Sequence, residues 1–321
     1  MPPMRRRFLG QIGRTGGVAV TGILGGCAKS EQPESKSVTV QIGSKPFTEQ
    51  KILGYLAYER LRRIDWVRAV DEIGAGNSLS NWEETAAGEQ HLYWEYTGTA
   101  WLQLPPRHER RITDPKSLFE RVRADADSQR LQLADPAPFS NEYVIIADAR
   151  WAERSDVSTI SDLAAHIRNG GDTPGVAVNE EFYHRQDGWR GLAPYYEIET
   201  ANGEPIQTEP FIVTSIGLTY ELLEQGRVQI ASGFATDPQL NRSTVTVLKD
   251  DRDYFLPYQP APTAYAPLID EHPEIFEILS PVVSALDKST MRGLNSRVLL
   301  DGDHPFAVAT QFLETEVLDD A

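Results

Sequence analysis

Downstream of residue 36, short runs rich in β-branched residues alternate with longer stretches of helical apolar spacing. Strands alternating with helices of about 10–15 residues restrict the fold to an α/β architecture. Residues 37–43 alternate Val38, Val40 and Ile42 as a strand, and residues 47–63 set Ile52, Leu53, Leu56 and Leu61 on one side of a helix. Further strands are expected at residues 66–73, 91–95, 131–134, 142–147, 175–178, 228–231 and 244–248. Further helices are expected at about 78–87, 115–127 and 159–168, in a stretch through 184–189, up to Glu224, and over 272–286 and 305–317. Asn77 and Asp114 sit where N-caps belong, and Gly88 and Gly226 where helices stop. Two breaks, at residues 136–139 and 250–257, mark crossings of the chain between lobes; two prolines stiffen the first. No internal repeat of fixed period is present.

The first 26 residues differ in kind. Arg5, Arg6 and Arg7 precede a weakly apolar, Gly-rich run, and no acidic residue occurs before Glu31. The run is far shorter than the roughly 20 apolar residues of a membrane span. It is similar to a twin-arginine export signal. Ile23-Leu24-Gly25-Gly26-Cys27 resembles a lipobox, with Cys27, the single cysteine, as the lipidated residue. An incidental thiol is the bland alternative, but an unpaired cysteine is a liability on an exported protein. Residues 1–26 are thus expected to be an export signal and residues 27–37 a tether that leaves the protein lipid-anchored on the outer face of the cytoplasmic membrane.

The formal charge is −16; without the four leader arginines, 27 basic residues face 47 acidic ones, a balance of −20. That excess argues against nucleic acid and anionic membrane surfaces. It suits a halophilic protein that stays soluble by acidity. At molar salt the screening length falls to about 3 Å, so ionic recognition requires direct contact in a sheltered cleft.

Enzyme signatures are missing. There is no Gly-x-Ser-x-Gly, His-Glu-x-x-His or phosphate-loop pattern, and Gly74-Ala75-Gly76 lacks the third glycine of a dinucleotide fingerprint. The six histidines show no metal-ligand spacing. No catalysis, metal or cofactor is expected; acidic pairs such as Glu83-Glu84 read as solvated faces.

The informative stretch is Tyr93-Trp94-Glu95-Tyr96-Thr97-Gly98-Thr99-Ala100-Trp101, an aromatic run at a strand end. Read with Ser44-Lys45-Pro46-Phe47-Thr48-Glu49-Gln50, Asn141-Glu142-Tyr143 and Pro257-Tyr258-Gln259, it suggests rings gathered from several loops. The negative faces of such rings attract a cation that cannot donate hydrogen bonds, which points to a quaternary ammonium ion.

These runs, with Ala235-Thr236-Asp237, lie in an order and spacing similar to those of the glycine betaine/choline/carnitine-binding proteins of ABC transporters. The resemblance runs from about Val38 to the C-terminus. It implies a two-lobed type II binding-protein fold with the ligand in the interlobe cleft, lobe I at 38–139 and 257–321 and lobe II at 140–256. It further implies an importer with a permease and an ATPase as partners. Tyr96, Tyr143, Tyr258 and Phe234 match the cage positions, although Phe234 stands where tyrosine is more usual. Lys45, Thr99 and Arg185 match positions that hold a ligand carboxylate, and Asn141 contributes through its backbone. On that basis glycine betaine is expected to bind better than choline, which gains little from a Lys/Arg pair that repels its cation; carnitine is the other alternative. Each residue also has a plainer reading: Tyr96 and Tyr258 as core aromatics, Lys45 as solvated, Arg185 as half of a surface pair with Asp187. A lipid-anchored sensor on the same fold would use the same cage.

Overall fold

A computed structural model of the protein describes residues 37–185, 187–198, 210–215 and 217–318. The expected export signal, Cys27 and all but Ser37 of the tether lie outside the described residues.

The chain begins with β1 (Val38–Gly43), α1 (Thr48–Leu61), β2 (Val67–Glu72), α2 (Ser78–Ala87), β3 (Leu92–Tyr96), α3 (Thr97–Gln103), α4 (Pro115–Asp127) and β4 (Leu131–Leu133). Local chemistry sets several ends. Asn77 and Ser80 form a reciprocal capping box at α2, and Gly88 closes that helix in the left-handed conformation. At α4, Asp114 accepts from the Ser117 N–H, with Pro115 in the first turn.

The chain then crosses to β5 (Tyr143–Asp148), α5 (Ala149–Ser155), α6 (Ile160–Arg168), β6 (Val176–Asn179), α7 (Glu180–His184), α8 (Trp189–Tyr195), β7 (Phe211–Thr214), α9 (Leu218–Glu224), β8 (Ile230–Phe234) and β9 (Val245–Leu248). It returns as β10 (Pro260–Tyr265), α10 (Ala266–Glu271), α11 (Glu274–Ala285), α12 (Lys288–Leu299) and α13 (Pro305–Phe312).

Among the described residues the strands form two five-stranded sheets, ordered β2-β1-β3-β10-β4 and β7-β6-β8-β5-β9. The two share one plan. In each, the strand that enters after a crossing is inserted fourth and runs antiparallel to both neighbours, β10 against β3 and β4, β5 against β8 and β9. The carboxyl ends of β1, β3 and β6 open toward the region between the sheets, where ligands of open α/β sheets sit.

Three features depart from the sequence expectation. β10 was not expected, because Pro260 and Pro262 argue against an inner strand. Their missing N–H groups lie on the β4 side, just beyond the end of β4, where Ala134 and Ala137 instead donate to the two proline carbonyls at 2.9 Å each. The helical stretch expected through 184–189 is broken: Arg185 is extended (φ −70°, ψ 148°), and α8 starts anew at Trp189. Gly188 makes the break possible, since a Cβ there would lie 1.8 Å from the Phe182 carbonyl oxygen. Helices α3, α5, α10 and α12 were also not foreseen.

Helix α1 carries the first lobe's core. Ile52, Leu53 and Leu56 are buried against Val308, Ala309 and Phe312 of α13 and against Trp94 of β3. In the second lobe Ile145, Val178 and Ile230 pack with Trp151, Leu163 and Phe182. Leu53→Ala should cost about 2–5 kcal/mol, the usual range for emptying a closed apolar site. A urea unfolding midpoint unchanged by that substitution would refute this packing.

Candidate functional site

The two crossings run side by side and are bonded to one another. The Asn141 N–H donates to the Tyr258 carbonyl at 3.0 Å, and the Tyr258 N–H donates to Ser140 Oγ at 2.8 Å. The turn after β3 joins them: Thr97 Oγ1 donates to the Pro257 carbonyl at 2.9 Å and accepts from the Gln259 N–H at 3.1 Å. Gly98 lets this contact close, because a Cβ there would meet the Tyr258 ring at 2.8 Å. Three segments distant in sequence thus reach one place.

That place is a cavity of about 660 Å³. Lys45, Tyr96, Thr99, Asn141, Tyr143, Arg185, Phe234 and Tyr258 all line it. The rings come from both lobes. Tyr143 lies against Phe234 with centroids 4.6 Å apart, and Phe47 stacks on Tyr96 at 6.2 Å and 20°. Burial raises the phenol pKa values of Tyr96, Tyr143 and Tyr258, so the hydroxyls stay protonated and neutral.

The charges are more tightly matched than the sequence suggests. Lys45, only 5% exposed, is ion-paired with the buried Glu95 and holds its Nζ 4.9 Å from the Tyr96 ring centroid. Burial lowers the Lys45 pKa and raises that of Glu95, while their attraction opposes both shifts. Arg185 binds Asp187 through two hydrogen bonds of 2.9 and 2.7 Å and Glu181 through one of 2.9 Å. Burial works against the Asp187 charge, but the Arg185 hydrogen bonds hold its carboxyl below the ordinary range. The expected pairing of Arg185 with Asp187 therefore exists, but inside the cleft rather than on the surface. The guanidinium also sits over two cage rings, with Cζ 5.7 Å from the Tyr143 centroid and 5.9 Å from that of Tyr258.

Several wall residues went unrecognised in the sequence. Glu49 and Phe47 belong to the run that carries Lys45, yet nothing in its spacing shows which side chains turn inward. Thr236 and Asp237 follow Phe234. Asn295 had no signal at all, since α12 itself was not expected. Among the described residues no group of three His, Cys, Asp or Glu could hold a metal ion.

Residues 38–315 match the family model described as the substrate binding domain of ABC-type glycine betaine transport systems. The chain belongs to this family. A glycine-betaine-binding protein of Pseudomonas aeruginosa is 30% identical over 89% of this chain and 91% of its own length. The chemotactic signal transduction system substrate-binding protein CosB of Halobacterium salinarum is 28% identical over 84% of this chain and 82% of its own. Among solved structures, apo YehZ from Escherichia coli superposes with a TM-score of 0.67 at 24% identity, covering 87% of this chain and 98% of that one. The fold is therefore the two-lobed type II binding-protein fold, and the chain is of the substrate-binding type of ABC transport systems, a family that acts outside the cytoplasm. No helix among the described residues is long and apolar enough to cross a membrane.

Asp237 gives the cavity wall a pH-dependent term. Its Oδ2 accepts from the Phe234 N–H at 2.7 Å and the Tyr220 hydroxyl at 2.9 Å, but burial dominates and pushes its carboxyl up to about 6. A carboxyl with a folded pKa above its unfolded one is more protonated in the folded state, so its contribution falls as pH rises. Relative to Asp237→Asn, the wild type should lose up to about 3 kcal/mol between pH 4 and pH 6.5. A stability difference that stays flat over that window, measured by urea unfolding, would contradict the assignment.

Proposed function

We propose that the protein captures glycine betaine, or a related quaternary-amine osmolyte, between its lobes and delivers it to the permease and ATPase of an importer. One observation carries this reading: Tyr96 and Tyr258 from one lobe and Tyr143 and Phe234 from the other border a single cavity. We assign 38–139 and 257–321 to the first lobe and 140–256 to the second, with Cys27 as the lipid anchor after signal removal. The strongly acidic composition suits work at high salt, where a sheltered aromatic site keeps its attraction.

In this scheme the rings surround the trimethylammonium group, each contact contributing about 1–2 kcal/mol once water is excluded. Lys45 has three N–H donors and one acceptor, Glu95, so two donors remain for a ligand carboxylate. Thr99 and Arg185 complete that end, and Asn141 holds the Tyr258 loop through its backbone. Because Glu95, Asp187 and Glu181 offset the two cations, choline is repelled less than the sequence alone suggests. The preference for betaine then rests on charge-assisted hydrogen bonds, at about 1.5–3 kcal/mol each.

A second reading, a sensor module, draws support from the CosB relative in a chemotactic system. Pull-down of the permease from native membranes favours uptake; recovery of a transducer instead favours sensing.

Calorimetry decides the ligand. Glycine betaine should bind at least about tenfold tighter than choline. Tyr143→Ala should weaken both by similar factors. Arg185→Ala should weaken betaine while sparing or strengthening choline, since Asp187 loses its counter-charge beside the cage. Tighter binding of choline by the wild type would overturn the betaine assignment, and a failure of every quaternary amine to bind would overturn the cage.

A further inference from the structure

Glu49, near the start of α1, is 3% exposed and lies on the cavity wall, yet among the described residues no basic side chain pairs with it. Its carboxylate instead accepts four hydrogen bonds from neutral donors. Oε1 takes the Tyr96 hydroxyl at 2.8 Å and Asn141 Nδ2 at 2.9 Å; Oε2 takes Thr236 Oγ1 at 2.6 Å and Asn295 Nδ2 at 3.0 Å. Burial raises the Glu49 pKa and these four hydrogen bonds oppose that shift; an ionised carboxylate only accepts, with room for about four such bonds, so the donors offset part of the cost of burying the charge.

The four donors come from four separate segments, and three of them adjoin a ring of the cavity. Tyr96 is itself one of the rings. Asn141 lies two residues before Tyr143, and its N–H also holds the Tyr258 carbonyl. Thr236 lies two residues after Phe234. The Thr236 bond runs from the second lobe to α1 of the first and therefore spans the cleft. Two neighbours reinforce it: Asn295 Nδ2 also donates to the Thr236 carbonyl at 3.2 Å, and Arg292 donates to the Ala235 carbonyl at 2.7 Å.

We propose that Glu49 is a positioning residue that latches the two lobes across the cleft and fixes the four rings relative to one another. Its effect on affinity rests on the aromatic-cage reading; its effect on the lobes does not. A latch already closed without ligand must open for a bound ligand to leave, so losing it should speed release without slowing capture. A residue that merely supports the fold should lower the competent fraction for capture as well.

The test is a double-mutant cycle with Glu49→Gln and Thr236→Val, read by stopped-flow binding of glycine betaine and by lobe-to-lobe distances from one spin label per lobe, without ligand. Glu49→Gln should weaken binding about tenfold or more and Thr236→Val by less, with the loss in the dissociation rate. The double variant should be no weaker than Glu49→Gln within about twofold, because both remove the same bond. Without ligand, both variants should shift the distance distribution toward longer separations. Additive losses, a loss confined to the association rate, or an unchanged distribution would each overturn the proposal. Should Glu49→Gln fail to fold, Thr236→Val and Asn295→Ala decide by the same two readouts. Should no quaternary amine bind the wild type, the functional reading falls while the distance measurement still decides the latch.

Discussion

Everything in the cleft depends on two strands of connecting chain that pass each other and bond. Each lobe could fold its own sheet, but the ring positions are set where the first crossing meets the second, at Ser140, Asn141 and Tyr258. The common plan of the sheets follows from this. The chain leaves one sheet and comes back, and after each crossing it inserts an antiparallel strand, β5 and then β10. Tyr143 begins β5 and Tyr258 sits two residues before β10, so both rings are tied to inner strands of the sheets rather than to free loops.

Burial of charge shapes the rest. A cation taken out of water without a partner is costly, and the cleft contains two. Both come with built-in acids, Glu95 for Lys45 and Asp187 with Glu181 for Arg185. The arrangement keeps the site folded while unliganded and leaves unused N–H donors on Lys45. It also narrows the net charge that the two cations present to the cavity. Glu49 is built on a different principle, with four neutral donors in place of a counterion. Hydrogen bonds of this kind are directional, and because its donors come from both lobes, geometry is what they specify.

How much was readable beforehand varies by residue. Helices α2, α4 and α6 were visible in part because each opens on a capping side chain, Asn77, Asp114 and Thr159. β10 was hidden because its prolines break the usual rule, and the reason they are tolerated lies in the early end of β4, a tertiary fact. The aromatic positions were found through short runs shared with a family, whereas Asn295 and Asp187 sit in segments with no such signature. Arg185 lines the cavity, but its bidentate bond to Asp187 goes with the break of the helix at Arg185, which helical spacing concealed.

By itself the sequence determined the α/β class, most of the strands and helices, the two crossings and the residue types able to attract a methylated cation. These are local properties: period, cap, turn and ring chemistry are written within a few neighbouring positions. Only the tertiary structure decided which acid neutralises which base, how Tyr96, Tyr143, Phe234 and Tyr258 come to share a wall, and that Glu49 stands among all of them. Such relations join distant residues, as between Glu49 and Asn295, 246 positions apart. No local preference encodes a distance of that kind; it exists once the two sheets have folded and the crossings have bonded.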